Sequence, residues 1–199
     1  MPTVTALRDQ GRGRVGVDLD GAPWRTVPLV AVVKAGLHVG DELDRPRARC
    51  LRRELRRSDA LAAAGRALAR RDLPLRSLDR RLASAGVAPA TRSEAIESLA
   101  RAGLVDDARF ALARAEALAA RGRGDAAIRW ELERQGLAGD AADRAIDALE
   151  PERERATAVV ERKGRTAATA RYLARNGFAE DSIEAAVGTI ADQGPGAVG

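Results

Sequence analysis

His38 is the only histidine in this 199-residue chain and Cys50 the only cysteine. The first falls in a β-patterned opening stretch and the second in a helical one, so neither has a partner at nucleophile–base spacing. A single cysteine excludes an internal disulfide and a multi-cysteine metal site. No Walker-type glycine loop, metal-ligand spacing or Gly-x-Ser-x-Gly elbow occurs. The acid pair Asp106-Asp107 opens a helix. Asp106 as N-cap and Asp107 in the positive first turn account for both without chemistry, although a further role as an anionic contact stays open. No catalytic residue, cofactor or metal ligand is assigned.

The chemistry left is recognition of charge. From Arg45 to Arg81 there are thirteen arginines against Glu54, Asp59, Asp72 and Asp79, a local balance of +9. The whole chain carries +5, so the remainder is mildly acidic at −4. A basic segment on an acidic background points to a polyanion or an acidic protein surface; the plain alternative is a solvated, salt-bridged helix face. At 100° per residue, Leu51 and Leu55 point one way while Arg49, Arg52, Arg53, Arg56 and Arg57 spread over the opposite side. A second basic feature is the loop Arg121-Gly122-Arg123-Gly124, whose glycines let the backbone approach a phosphate or carboxylate. Lys163-Gly164-Arg165 occupies the matching junction further on. Both are equally well read as tight turns with solvated side chains. Trp130 lies about 200° and 160° round its helix from Ile128 and Leu132, so it faces away from its own core. Packing between successive helix sets is the favoured explanation, and a partner anchor the other.

The elements that must position these residues change character near residue 44. Val15, Val17 and Leu19 alternate with Gly16 and Asp18, Asp20-Gly21 signals a tight turn, and Trp24 to Val27 return as a second strand. Pro28 suits the first turn of a helix over Leu29 to Ala35 that Gly36 ends. Residues 1–44 therefore read as a β-hairpin-plus-helix module, too small to stand without docking. From Asp44 the period becomes helical, with Leu51, Leu55, Ala62 and Leu68 expected on one face. The aromatic fraction of 3% argues against one thick core and for thin, alanine- and leucine-rich helical layers.

Beyond residue 57 the pattern repeats. Leu82, Leu132 and Leu173 each lie four residues before a glycine (Gly86, Gly136, Gly177), which is followed by Val87, Leu137 or Phe178. Each is an amphipathic helix stopped by a glycine at positive φ, with the next apolar residue folding back. Three sets of three helices are expected, over 58–104, 105–150 and 151–192, because one set buries too little alone. Residues 45–57 form a basic linking helix and 193–199 a disordered tail. Asp106, Asp107, Phe110, Leu132, Gly136, Gly177 and Phe178 are assigned to the fold, Phe110 starting a buried stripe with Ala113 and Ala117. The fold class is mostly α, an elongated array of tandem three-helix repeats with a small β-containing N-terminal module.

The phrase Gly103-Leu104-Val105-Asp106-Asp107-Ala108-Arg109-Phe110-Ala111, then Arg121 to Gly124 and Ile128 to Gly136, resembles the family of the regulatory protein RecX. Tyr172 to Phe178 is similar to that family's closing repeat, and the likeness covers about residues 58–190. The resemblance implies a non-enzymatic protein that binds the RecA recombinase filament on DNA and restrains its ATP hydrolysis, strand exchange and co-protease action. It carries nothing onto residues 1–44, and Arg123 fills a loop position where tyrosine or lysine is frequent. A cytoplasmic protein is expected, since no apolar leader follows Met1 and no stretch approaches the roughly 20 apolar residues of a membrane span; a monomer is expected as well. Direct contact with single- or double-stranded DNA stays open. The rival readings are a stand-alone helix-turn-helix-like DNA-binding protein and a repeat scaffold for another acidic partner. Acids on the third helices, as in Asp140 to Leu149, suit a DNA groove poorly.

Overall fold

Three strands open the chain as an antiparallel meander: β1 (Val4–Asp9), β2 (Arg14–Leu19) and β3 (Ala22–Pro28). The computed structural model describes residues 1–188; the expected tail over 193–199 and the end of the third helix set at 189–192 lie outside them. Asp20 and Gly21 take φ of 50° and 81°, the left-handed pair that a two-residue hairpin turn demands. The strand β1 was not expected. A register shift between Val4 and Ala6 breaks the period-two alternation by which a strand is recognised, so the module is a three-stranded sheet rather than a hairpin. The outer edge of β1 is paired in turn, with Val4 donating to the Asp41 carbonyl and accepting from Gly40, both at 2.8 Å.

The helix α1 (Leu29–Ala35) stops at Gly36 with φ 57°. Its buried side chains join Val4, Val17 and Val27 in a core completed by Leu51 and Leu55 of α2 (Arg45–Leu68). The N-terminal module therefore shares its core with the basic helix, which supplies the docking its size requires. Asp44 caps α2 by accepting from the Arg47 amide at 2.8 Å. The helix runs unbroken across the boundary expected at 57/58, because nothing between Pro46 and Gly65 interrupts it. Ala62, expected on the buried face, is exposed, and Ala60, Ala64 and Ala67 are buried instead.

Eight further helices follow among the described residues: α3 (Leu75–Ser84), α4 (Pro89–Arg101), α5 (Asp107–Ala119), α6 (Asp125–Gln135), α7 (Gly139–Asp147), α8 (Glu152–Lys163), α9 (Ala167–Arg175) and α10 (Glu180–Val187). The chain is divided into two compact units, 1–71 with 78–104, and 72–77 with the chain from 105 onward. Within the second unit, α5–α7 enclose one core around Ile128 and Leu132, and α8–α10 another around Leu173 and Phe178. The α5 stripe is Ala111, Ala115 and Leu118, the stripe beside the expected Phe110, Ala113 and Ala117. Phe110 is only partly buried at the edge of that core. With alanine at 108, 111, 113, 115, 117 and 119, two stripes of α5 are equally apolar, and only packing chooses between them.

Gly86, Gly136 and Gly177 sit at φ of 78°, 97° and 81°. Each lets the following amide reach back five residues, Val87 to Leu82, Leu137 to Leu132 and Phe178 to Leu173, at 3.1–3.2 Å. In the second unit these helix ends also meet helix starts. Gly124 donates to the Asn176 carbonyl at 2.9 Å and Ala126 to that of Gly177 at 3.2 Å. A Cβ on Gly124 would overlap the Gly177 carbonyl, and one on Gly177 would lie 2.6 Å from the Ala127 nitrogen. Ser77, in the first turn of α3, likewise donates to the Gln135 carbonyl at 2.7 Å, and Gly136 lies against Arg76.

Helix starts have amides that their own turns cannot satisfy. Neither Pro74, before α3, nor Gly124, at the N-cap of α6, has a side chain to offer. The acceptor comes from the first residue of a later helix: Asp107 accepts from the Leu75 amide at 2.7 Å and Glu152 from the Asp125 amide at 2.6 Å. The other Glu152 oxygen accepts from Ala179, at the start of α10, at 3.0 Å. The α9 helix differs, since Thr166 accepts from the Thr169 amide of its own first turn. This explains why the first turn of α3 belongs to the second unit.

Two glycine substitutions separate conformational cost from contact. Gly65→Ala, with nothing within 4 Å of the added carbon, should stabilise α2 by about 0.5–1 kcal/mol. Gly124→Ala adds no backbone strain at φ −82°, yet should cost about 1–3 kcal/mol through overlap with Gly177. Urea melts that rank the two the other way would refute the joint. Asp107→Ala should cost about 1–2 kcal/mol by orphaning the Leu75 amide, and Asp107→Asn, which keeps an acceptor, well under half of that.

Candidate functional site

On α2, Arg45, Arg49, Arg52 and Arg56 line one shallow groove. Spacings of four, three and four residues hold them on a single helix face over about 16 Å. Arg52 Nε donates to the Ala48 carbonyl at 3.1 Å, and none of the four forms a salt bridge among the described residues. The expected face is corrected at its inner edge. Arg57 is half-buried, 3.9 Å from Glu54, and its Nε has no partner. Arg53 also leans towards Glu54, at 3.8 Å. The cause is Glu54 itself, buried on the side of Leu51 and Leu55 and held by Lys34 at 3.2 Å; a buried carboxylate draws in cations. Arg45 was missed, although its spacing to Arg49, Arg52 and Arg56 is readable from the chain.

The second basic surface lies in the second unit. Arg114, Leu118, Arg121, Arg123, Ala127, Trp130, Glu131 and Asn176 line a groove of about 390 Å³. Trp130 is 64% exposed, so the expected packing between successive sets is not what it does. Ile128 and Leu132 fill the core and turn it outward, and the Arg134 guanidinium stacks on its ring 5.4 Å from the centroid. Glu131 ties this wall together, accepting from Arg114 at 3.0 Å, Arg134 at 2.8 Å and Gln135 at 2.7 Å. Burial pushes the Glu131 carboxyl up, but the hydrogen bonds from Arg134, Arg114 and Gln135 outweigh it and bring it down to about 2.

The loop bearing Arg121 and Arg123 is fixed from beneath by a residue that sequence reasoning missed. Arg155 is buried and donates to the carbonyls of Glu150 at 2.8 Å and Arg123 at 2.9 Å, and to the Asp125 carboxylate. Burial pushes the Asp125 carboxyl up against the pull of that guanidinium. Nothing in the sequence distinguishes Arg155 from its exposed neighbours. Arg123 donates to Asn176 Oδ1 at 3.1 Å, and Asn176 Nδ2 donates to the Tyr172 carbonyl at 2.8 Å. Lys163 and Arg165 are exposed on the α8–α9 junction, Lys163 lying over the Tyr172 ring at 4.5 Å.

The central acids are both engaged in helix starts. Asp106 accepts from Ala108 and Arg109 at 2.9 and 3.0 Å, and those hydrogen bonds, that of Arg109 first, hold its carboxyl below the usual range. Asp107 reaches Leu75 instead of resting on its own helix dipole.

No family model matches the chain. A regulatory protein RecX of Halorhodospira halophila is 34% identical over 134 residues, covering 62% of this chain and 83% of the relative. The chain belongs to the RecX family. A second relative, regulatory protein RecX of Acidithiobacillus ferrooxidans, is 35% identical over 141 residues, 66% of this chain and 91% of its own length. A crystal structure of a regulatory protein RecX superimposes with a TM-score of 0.79 at 17% identity, covering 94% of this chain and 98% of that one. One of RecX from Lactobacillus salivarius gives 0.60 at 18%, covering 66% and 94%. At such identities the structures establish the fold, a mostly helical chain behind a small antiparallel sheet, and the RecX sequences establish the family. The relatives are named regulatory proteins. No helix among the described residues is long and apolar enough to cross a membrane.

Glu131 gives the groove wall a pH signature. Its carboxyl is lowered in the fold, so its contribution to stability is complete above the unfolded value near 4.5 and is lost as pH falls through about 2. The stability advantage of the wild type over Glu131→Gln, from urea melts, should be constant from neutral pH down to the unfolded value and then shrink. An advantage that grows on acidification would show that the carboxylate is not what the two arginines require.

Proposed function

We propose that this RecX-family protein regulates the RecA recombinase by binding its filament on DNA, lowering ATP hydrolysis, strand exchange and co-protease action without catalysis of its own. Family membership supports the partner. The observation that carries the contact is the α2 stripe of Arg45, Arg49, Arg52 and Arg56, four outward guanidiniums without a carboxylate partner among the described residues. Such a stripe is adapted to an acidic protein surface or a phosphate backbone. Recombinase filaments cycle through rearrangements of neighbouring subunits. A ligand that holds two subunits at once opposes that cycle by as much as it prefers one arrangement over the other. The α2 helix alone, at 24 residues, spans about 36 Å. The protein acts as a cytoplasmic monomer in this reading, and direct DNA contact adds to filament affinity.

The rival helix-turn-helix reading requires a third helix that enters a DNA groove. Asp140, Asp143 and Asp147 are exposed on α7, and Glu180, Asp181 and Glu184 lie on α10. Their charge opposes approach to phosphates.

Titrating the protein into a RecA ATPase assay on single-stranded DNA should give inhibition well below one copy per RecA subunit. No effect at equimolar protein would end this reading. Replacing Arg45, Arg49, Arg52 and Arg56 together with glutamine should leave helical circular dichroism unchanged while raising the protein needed for half-inhibition, with the larger loss at low salt. Unaltered inhibition would remove the stripe from the contact.

A further inference from the structure

We propose that the groove walled by Trp130, Arg121 and Arg123 is a binding site for single-stranded nucleic acid, with a base stacked on the indole and the flanking phosphates held by the two arginines. The inference deepens the DNA contact of the proposed function by giving it a site, and its test contains no RecA, so its outcome is separate from that of the ATPase titration. Trp130 is 64% exposed and forms part of the groove wall. Arg134 backs the ring at 5.4 Å, which leaves aromatic surface open on a wall that is already held in place. A flat, electron-poor ring fits such a platform without asking the protein to move.

Charge points to an anion. Arg114, Arg121 and Arg123 line the groove with one carboxylate, Glu131, which already accepts from Arg114, Arg134 and Gln135. Arg121 forms no salt bridge among the described residues, and the partner of Arg123 is the neutral Asn176 oxygen. Both arginines rest on a rigid base: Gly124 is pressed against Gly177, and the Arg123 carbonyl is held by Arg155. Arg123 to Trp130 is about 10 Å along the α6 direction at 1.5 Å per residue, room for a base beside the ring and its phosphates at the loop. An acidic peptide would satisfy the arginines but leaves the open indole face without a matched ligand. Recognition should be indifferent to base sequence. The one amide lining the groove, Asn176, is held between Arg123 and the Tyr172 carbonyl and is not free to turn towards a base edge.

The test uses the full chain with Trp24→Phe, which leaves Trp130 as its only indole. A short oligothymidylate added at low salt should quench its fluorescence, and an abasic oligomer of equal length should bind about tenfold more weakly. Trp130→Ala, read by anisotropy of a labelled oligothymidylate, should lose about tenfold, and Trp130→Phe should recover part of it. Trp130 is exposed, so melting temperature should not move. Arg121→Gln with Arg123→Gln should flatten the salt dependence by roughly 0.7 in log–log slope per lost phosphate contact. Absence of quenching by oligothymidylate, or equal affinity for the abasic oligomer, would overturn the proposal. So would a polyglutamate peptide that quenches Trp130 where oligothymidylate does not, which would make the groove a site for an acidic protein segment.

Discussion

A helix can satisfy every backbone amide except those of its first turn, and in this chain the starts of α3 and α6 meet that need with a carboxylate from a later helix. Asp107 serves α3 and Glu152 serves α6, so neither start is complete until a later helix has arrived. The same contact brings backbone against backbone at Gly124 and Gly177, at a distance no other residue permits. The packing of α5–α7 and α8–α10 on each other depends on this polar joint as much as on their thin cores. With alanine supplying so much of the buried surface, little apolar area is available to compensate for an orphaned amide.

Much of the backbone was legible because its signals are local. Asp20-Gly21 specifies its turn, and the three glycine stops specify helix ends, since only glycine takes a φ near 80° at no cost. The Gly103 to Ala111 phrase was enough to suggest the family. What escaped is decided across space. The β1 strand is held by pairing on both edges despite its broken alternation. The α5 stripe could not be chosen between two alanine faces. Asp107 reads as a first-turn acid, and its true partner lies 32 residues away.

The arginines give the sharpest case. Arg52, Arg57, Arg121 and Arg155 are alike as letters, and the fold gives each a different environment. Arg155 is an internal strut with its donors spent on two carbonyls and a carboxylate, and Arg57 is drawn in by Glu54. Arg52 and Arg121 face solvent. A count of basic residues therefore overstates the surface charge open to a partner, and only the pairing of each guanidinium sorts the available ones from the structural ones. Trp130 escaped for a related reason: its angle on the helix was readable, but what lay opposite it was not.

Thr166 has a consequence for how such a chain can lengthen. Among the second helices of the three sets, α3 and α6 borrow their acceptors and α9 starts with its own hydroxyl, so that series ends there, while at the other extreme Gly86 has open space around it. A duplicated set of three helices inserted between Glu150 and Pro151 would bring its own leading acid and stopping glycine, and would find the matching half of each joint on either side. The same set appended after α10 would meet a helix start with nothing left to ask for. The polar joints therefore have a direction along the chain, each second helix leaning on the set that follows it until one hydroxyl group makes the last of them self-sufficient.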